Sequence, residues 1–172
     1  MSGKDEVVTR LFVAAWPSDQ AIAYLRSLPH DGWVNVRWMP EDNWHVTLAF
    51  LGEAEIDAVM RRLARGRYGA ATAELARRLR VMGPNSLVVP VDGLDQLAAE
   101  VRTHVFDEAP RRAFHGHLTV GRSIGKRPIS GRTTTGQVAT ACAFDVTEIA
   151  LVRSTLSPEG ARYDTVGTVA CR

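Results

Sequence analysis

The sequence predicts an α+β fold of two similar lobes, on three observations. A histidine–apolar–threonine–apolar motif occurs at His45-Val46-Thr47-Leu48 and again at His117-Leu118-Thr119-Val120, near the middle of each half of the 172-residue chain. Internal repetition of this kind suggests two lobes related by rough twofold symmetry. Each half mixes helical and strand periodicities without strict alternation, the pattern of an α+β fold. With 45% hydrophobic and 23% charged residues, the chain can bury one sizeable core, or two small lobes sharing one. Residues 1–172 are therefore expected to form a single bilobal domain.

Val7 to Ala15 is an apolar run long enough for a buried strand. Pro17-Ser18-Asp19 is a helix start signal, and Gln20 to Leu28 follows with apolar residues at Ile22, Leu25 and Leu28. Pro29 to Gly32 is a turn, in which His30 reads as a solvated loop histidine. Trp33 to Trp38 reads as one short strand, and Met39 to Asp42 as a loop leading to the first motif. The motif strand itself is expected to stop at Gly52. Glu53 to Arg65 has helical spacing at Ile56, Val59, Met60 and Leu63, and Arg61, Arg62 and Arg65 suit the C-terminal end of its dipole.

From Gly66 to Val81 the signals conflict. Ala70 to Leu79 has helix-forming composition, while Leu75, Leu79 and Val81 also fit strand alternation. Gly83-Pro84-Asn85 is a turn, Leu87 to Val91 a strand, and Leu94 to Val105 an amphipathic helix. That helix turns Leu94, Leu97, Val101 and Val105 inward and leaves His104 on its surface. Arg111 to Arg122 carries the second motif. Ser123 to Gln137, rich in Gly, Ser and Thr with Lys126, Arg127 and Arg132, reads as a loop, open between a substrate lid and a solvated connection. Val138 to Ser154 gives one or two strands, Ser157 to Gly160 a turn, and Tyr163 to Ala170 a closing strand.

Period-two alternation places His45, Thr47 and Ala49 on one face of the first motif strand and Val46, Leu48 and Phe50 on the other. The second copy places His117 and Thr119 together in the same way. If the lobes face each other, two imidazoles and two hydroxyls converge on one cleft. By the same alternation Arg122 points away from His117, unless a bulge at Gly121 reverses it. His115 and His117 have the spacing of a two-His metal site, but no Asp, Glu or Cys lies near in sequence to complete it. No metal and no cofactor are expected.

Net charge is only +2, which by itself says little about nucleic acid. The basic residues are arginine except Lys4 and Lys126, a bias that suits phosphate contacts but also follows from coding composition. No apolar run approaches the roughly 20 residues of a membrane span, and the polar N-terminus lacks a secretory layout. Cys142 and Cys171 make no disulfide framework, so a reducing cytoplasm is expected; the protein is also expected to be a monomer.

The chain resembles the two-histidine phosphoesterases, specifically the RNA 2′,3′-cyclic phosphodiesterase family first described as 2′-5′ RNA ligases. The resemblance rests on Arg10-Leu11-Phe12-Val13-Ala14, on Val36-Arg37-Trp38, and on Asn43 to Glu53 around the first motif. It continues through Phe114 to Arg122, Leu151-Val152-Arg153-Ser154 and Gly160-Ala161-Arg162-Tyr163. The family implies two pseudo-symmetric lobes, each an antiparallel sheet with outer helices, around a central cleft carrying the two His-x-Thr motifs. It also implies a strand in the ambiguous region after Gly66. Gly116 departs from the pattern, in which proline usually precedes the histidine, and is expected to leave His117 less rigidly presented.

The implied substrate is an RNA or nucleotide ending in a 2′,3′-cyclic phosphate, opened by water to a 2′-phosphate. His45 is implied as general acid for the 3′ oxygen and His117 as base for water, with Thr47, Thr119 and Arg122 binding phosphate. Histidine suits both roles, because its ordinary pKa of about 6.5 allows one neutral and one charged imidazole near neutrality. Three alternatives stand beside hydrolysis: 2′-5′ ligation by the same groups in reverse, a module that binds RNA ends without turnover, and metal-dependent hydrolysis through His115 and His117.

Overall fold

A computed structural model of the chain describes residues 8–108, 110–131 and 141–172. The first apolar run forms strand β1 (Thr9–Ala15); its expected first residue, Val7, lies outside the described residues. Helix α1 (Asp19–Ser27) follows, with Ser18 Oγ accepting a hydrogen bond from Ala21 N at 3.2 Å. Such a cap satisfies one of the free N–H groups of the first turn.

Two short strands then replace the single one expected. β2 (Trp33–Val34) and β3 (Val36–Trp38) are separated by Asn35, whose φ of 62° is left-handed. Asparagine tolerates that conformation, and one such residue is enough to break an extended run. After a 3₁₀ turn at Glu41–Asn43, the first motif enters β4 (Val46–Ala54). Gly52 does not end this strand: it adopts φ 70° within it.

The remaining elements are α2 (Ile56–Arg65), β5 (Ala71–Leu75), β6 (Arg80–Met82), β7 (Ser86–Asp92), α3 (Asp95–Val105), β8 (His117–Ser123), β9 (Ser130–Gly131), β10 (Cys142–Val146), β11 (Glu148–Ser157) and β12 (Gly160–Ala170). The conflict after Gly66 thus resolves as strand. Ala71–Leu75 pairs along its whole length with β10, and its end also pairs with β7. These ladders override a helix-forming composition, which is only a weak preference. Of the loop expected over Ser123 to Gln137, Ser130 and Gly131 pair with β2, and the part from 132 onward lies outside the described residues.

The main sheet runs β10-β5-β7-β8-β4-β1-β11-β12, with β3 added beside β8 and β6 beside β7. Its pairings are antiparallel. Two lobes are evident in that order. One contains β4, β1, β11 and β12, the other β8, β7, β5 and β10, and they join where β4 meets β8. Helices lie outside. The core joins buried residues of α1 (Ala21, Leu25), α2 (Val59, Leu63) and α3 (Leu97, Val101) with inward residues of both lobes, including Val46, Leu48, Leu118 and Val120. Each fully buried leucine or valine in it is worth about 1.5–3 kcal/mol relative to exposure.

Strand β1 shows how the two faces are divided. Leu11, Val13 and Ala15 belong to the helix-covered core, whereas Phe12 and Ala14 form a smaller cluster with Ala150 and Val152 on the opposite face. Among the described residues α1, α2 and α3 pack on the other face, and this opposite face carries the candidate site. Among the described residues no helix is long and apolar enough to cross a membrane.

Candidate active site

The two motifs meet side by side. Val46 is the Cα partner of Leu118 in the antiparallel pairing of β4 with β8, and each is the residue between the histidine and threonine of its motif. Both side chains are fully buried toward the helices. Alternation then turns His45, Thr47, His117 and Thr119 together onto the open face. Continuing the register by one residue in each direction sets His45 beside Thr119 and Thr47 beside His117, so the two histidines belong to opposite corners of a four-residue patch.

Each histidine is oriented in the same way. His45 Nδ1 lies 2.7 Å from Asn43 O, and His117 Nδ1 lies 2.7 Å from His115 O. A carbonyl only accepts, so each Nδ1 donates and the lone pair of a neutral ring sits on Nε2. His45 Nε2 lies 3.0 Å from Thr47 Oγ1, where the hydroxyl donates to it. In both motifs the carbonyl two residues before the histidine fixes the tautomer.

Their surroundings differ. The His45 ring packs against Phe12 at 4.7 Å between centroids, with Tyr163 and Trp16 edge-on at 5.2 and 5.7 Å. Trp16 is itself tied to β12, its Nε1 donating to Thr165 Oγ1 at 3.1 Å. This burial pushes the His45 pKa down to about 4, with the charges of His117 and Arg122 acting in the same direction and the Asn43 carbonyl opposing them. His45 is therefore neutral at pH 7.

Two bulges change which side chains join the site. In β4, Val13 pairs with Ala49 and Ala14 with Thr47, leaving Leu48 as the extra residue. Expected parity is reversed beyond it. Ala49, expected beside His45, is buried in the helix-covered core, and Phe50, expected in the core, is 62% exposed and stacked on Phe12 at 5.8 Å. In β8, Leu87 pairs with Gly121 and Val88 with Thr119, leaving Val120 as the extra residue. Arg122 is thereby turned to the face of His117, where its charge acts on His45 and its Nη1 donates to Ser86 Oγ at 2.7 Å. The expectation that simple alternation turns Arg122 away is corrected by this bulge.

Gly116 is held tightly. Its carbonyl accepts from Val91 N at 2.9 Å, and a Cβ placed on it would lie 2.2 Å from Val91 O. Glycine lets the backbone before His117 lie directly on β7, so the expected looseness has a structural counterweight. His115 is exposed and offers its carbonyl, not its ring, to His117. No group of three or more His, Cys, Asp or Glu positioned for a metal occurs among the described residues. His30 packs edge-on against Trp38 and His104 against Tyr68, and neither belongs to the patch.

Sequence reasoning missed the aromatic side of the site. Phe12 and Trp16 had a signal, since they share the parity of Ala14 on β1 and its continuation. Tyr163 had none without knowledge that β12 returns beside β11.

Comparisons with known proteins find this fold elsewhere. Residues 13–81 match the family model described as LigT like phosphoesterase. E. coli LigT in apo form is 25% identical, covering 95% of this chain and 98% of its own at a TM-score of 0.74. A Thermus thermophilus protein is 24% identical over 95% of this chain and 98% of its own, with a TM-score of 0.68, and speaks to the fold alone. E. coli LigT has also been solved with 3′-AMP, a structure matched over 96% of this chain and 99% of its own at 24% identity and a TM-score of 0.69. No curated protein sequence matches the chain.

Proposed function

We propose that this chain, whose residues 13–81 match the LigT-like phosphoesterase model, is a phosphoesterase of that kind and hydrolyses 2′,3′-cyclic phosphates at nucleotide or RNA ends to 2′-phosphates without a metal. The observation that carries the reading is the Val46–Leu118 pairing, which supports two imidazoles and two hydroxyls sharing one face. The LigT complexes with 3′-AMP and with phosphate support a nucleotide substrate for a protein of this fold.

His117 takes a proton from water as its oxygen attacks phosphorus, the bond from phosphorus to the 3′ oxygen breaks, and His45 gives that oxygen a proton. Thr47 and Thr119 donate to the non-bridging oxygens, with Arg122 beside them as the cation. Donors already in place for a persisting negative charge need no reorganisation as the reaction proceeds. Each proton transfer is worth roughly 10²- to 10⁴-fold in rate.

His45 must be charged to act as an acid, yet it is neutral in the free protein at pH 7. A bound phosphodiester supplies the missing charge. Its anion lies beside Arg122, whose charge adds to burial in holding His45 neutral, and favours the protonated ring. Substrate binding is thus coupled to proton uptake at His45. The exposed ring of Phe50, backed by the buried Phe12 that packs on His45, suits stacking of a base, worth about 1–3 kcal/mol.

The test is incubation with each nucleoside 2′,3′-cyclic phosphate, with and without EDTA, resolving 2′- from 3′-phosphate products. A 2′-phosphate formed equally in EDTA is expected. Activity abolished by EDTA and restored by zinc overturns the metal-free mechanism, and binding of RNA ends without turnover overturns the enzyme reading.

A further inference from the structure

Arg102 lies on α3, on the helix-covered side of the sheet, yet it touches the backbone of both motif segments. Its Nε donates to Leu48 O at 3.2 Å. Leu48 is the extra residue of the β4 bulge, directly after Thr47, and a bulge leaves ladder groups of its extra residue without a strand partner. Its Nη1 donates to Arg112 O at 3.1 Å, and its guanidinium carbon stands 5.5 Å above the Phe114 ring. Arg112 and Phe114 belong to the irregular segment that delivers His115 and His117. One planar side chain thus holds the bulge after the first motif and the approach to the second.

We propose that Arg102 is a positioning residue for hydrolysis at this site, fixing the placement of Thr47 and Phe50 relative to His117 by clamping Leu48 to the 112–114 segment. The proposal rests on the function set out above. Its physical basis is the fork of the guanidinium, whose separate N–H groups serve two acceptors in fixed directions while its flat face covers a ring. Lysine can serve one acceptor and cannot cover the ring in the same way. Alanine leaves Leu48 O and Arg112 O without the donor and lets the two segments move independently. Displacements of about 1 Å at a site of this kind cost up to about 10²-fold in rate.

The experiment compares Arg102→Ala, Arg102→Lys and Phe114→Leu with the wild type in three measurements. Steady-state kinetics on a nucleoside 2′,3′-cyclic phosphate should show kcat lowered about 10- to 100-fold in Arg102→Ala, with KM changed by less than about threefold. Millimolar guanidinium should recover part of the lost kcat in Arg102→Ala but not in Phe114→Leu. The imidazole NMR signal of His45 should shift in both Arg102 variants without substrate present. Arg102→Ala with wild-type kcat and an unmoved His45 signal overturns the proposal, as does a fall in thermal stability alone. If Arg102→Ala does not fold, wild-type kcat in Arg102→Lys and Phe114→Leu together overturns it. If the wild type opens no cyclic phosphate, the functional reading fails, and the His45 signal still decides whether Arg102 positions the motif.

Discussion

Phe50 and Arg122 occupy the same place in two copies of one device. Each stands five residues after a motif histidine, and each is turned onto the open face by a bulge at the position after the motif threonine, Leu48 in β4 and Val120 in β8. The repeat thus extends beyond the four residues that announce it. What it delivers differs: one lobe ends in an aromatic ring stacked on Phe12, the other in a guanidinium held by Ser86. A cyclic nucleotide has an apolar flat part and an anionic part, and the two ends of the site differ in the same sense.

Removing Phe50 and Arg122 should therefore have different effects. Phe50→Ala should raise KM for nucleoside cyclic phosphates about 5- to 150-fold, the range of base-stacking energies, with little change in kcat. Arg122→Ala should lower kcat/KM through the transition state and should also raise the His45 pKa, because the Arg122 charge is one of the influences holding it down. Kinetics with NMR titration of His45 separates the two. A His45 pKa unchanged in Arg122→Ala would mean that Arg122 does not share the face.

His45→Ala and His117→Ala should each lose at least about 10²-fold in kcat, one proton-transfer role apiece. Thr47→Val and Thr119→Val should lose less. His30→Ala and His104→Ala should remain close to wild type in kcat, since these rings pack on Trp38 and Tyr68 away from the patch. A fully active His117→Ala enzyme would reduce the repeat to architecture.

The four motif side chains were legible in the sequence because a two-residue period is a local property. Phe50 was not, and Arg122 was named by resemblance against simple alternation, for one shared reason. A bulge reverses parity, and the bulge in β4 depends on contacts distant in sequence, among them Arg102 of α3. The same limit applies to Ala71–Leu75. Its composition favours helix, and pairing with β10 from the far end of the chain and with β7 makes it a strand. The side-by-side meeting of the lobes at Val46 and Leu118 also depends on tertiary register, which no repeat count supplies.

Gly116→Ala should destabilise the protein by about 1–3 kcal/mol, the usual cost of forcing atoms into a filled space. Its Cβ would meet Val91 O at 2.2 Å, and the strand cannot yield without moving the backbone that precedes His117. Thermal unfolding and kcat should fall together. An alanine variant with wild-type stability and rate would show that the backbone here relaxes freely.

Acid should weaken the fold through His45. Its folded pKa of about 4 lies below the unfolded value of about 6.5, so the unfolded chain binds the proton more readily. Stability from this source is complete above about pH 6.5 and is lost as pH falls toward 4, by at most about 3 kcal/mol. Denaturant midpoints at pH 7.5 and 4.5, compared between wild type and His45→Gln, isolate the contribution. The glutamine variant should lose less on acidification; an equal loss would mean that His45 is protonated as easily in the folded protein as in the unfolded chain.

The division of labour between the two histidines can be tested with the leaving group. In the proposed mechanism His45 acquires its proton when the phosphodiester binds, whereas His117 accepts one from water. A substrate whose leaving oxygen departs without protonation, such as a nitrophenyl phosphodiester, makes His45 dispensable as an acid but still needs the base. Its hydrolysis should tolerate His45→Ala much better than His117→Ala, while the cyclic phosphate should tolerate neither. Tolerance falling on His117→Ala instead would swap the roles. That outcome would suit the neutral His45 of the free protein, whose Nε2 lone pair already faces Thr47, acting as the base without any proton uptake. Equal loss in both variants on both substrates would mean that the histidines bind phosphate as a pair and do not divide proton transfer between them.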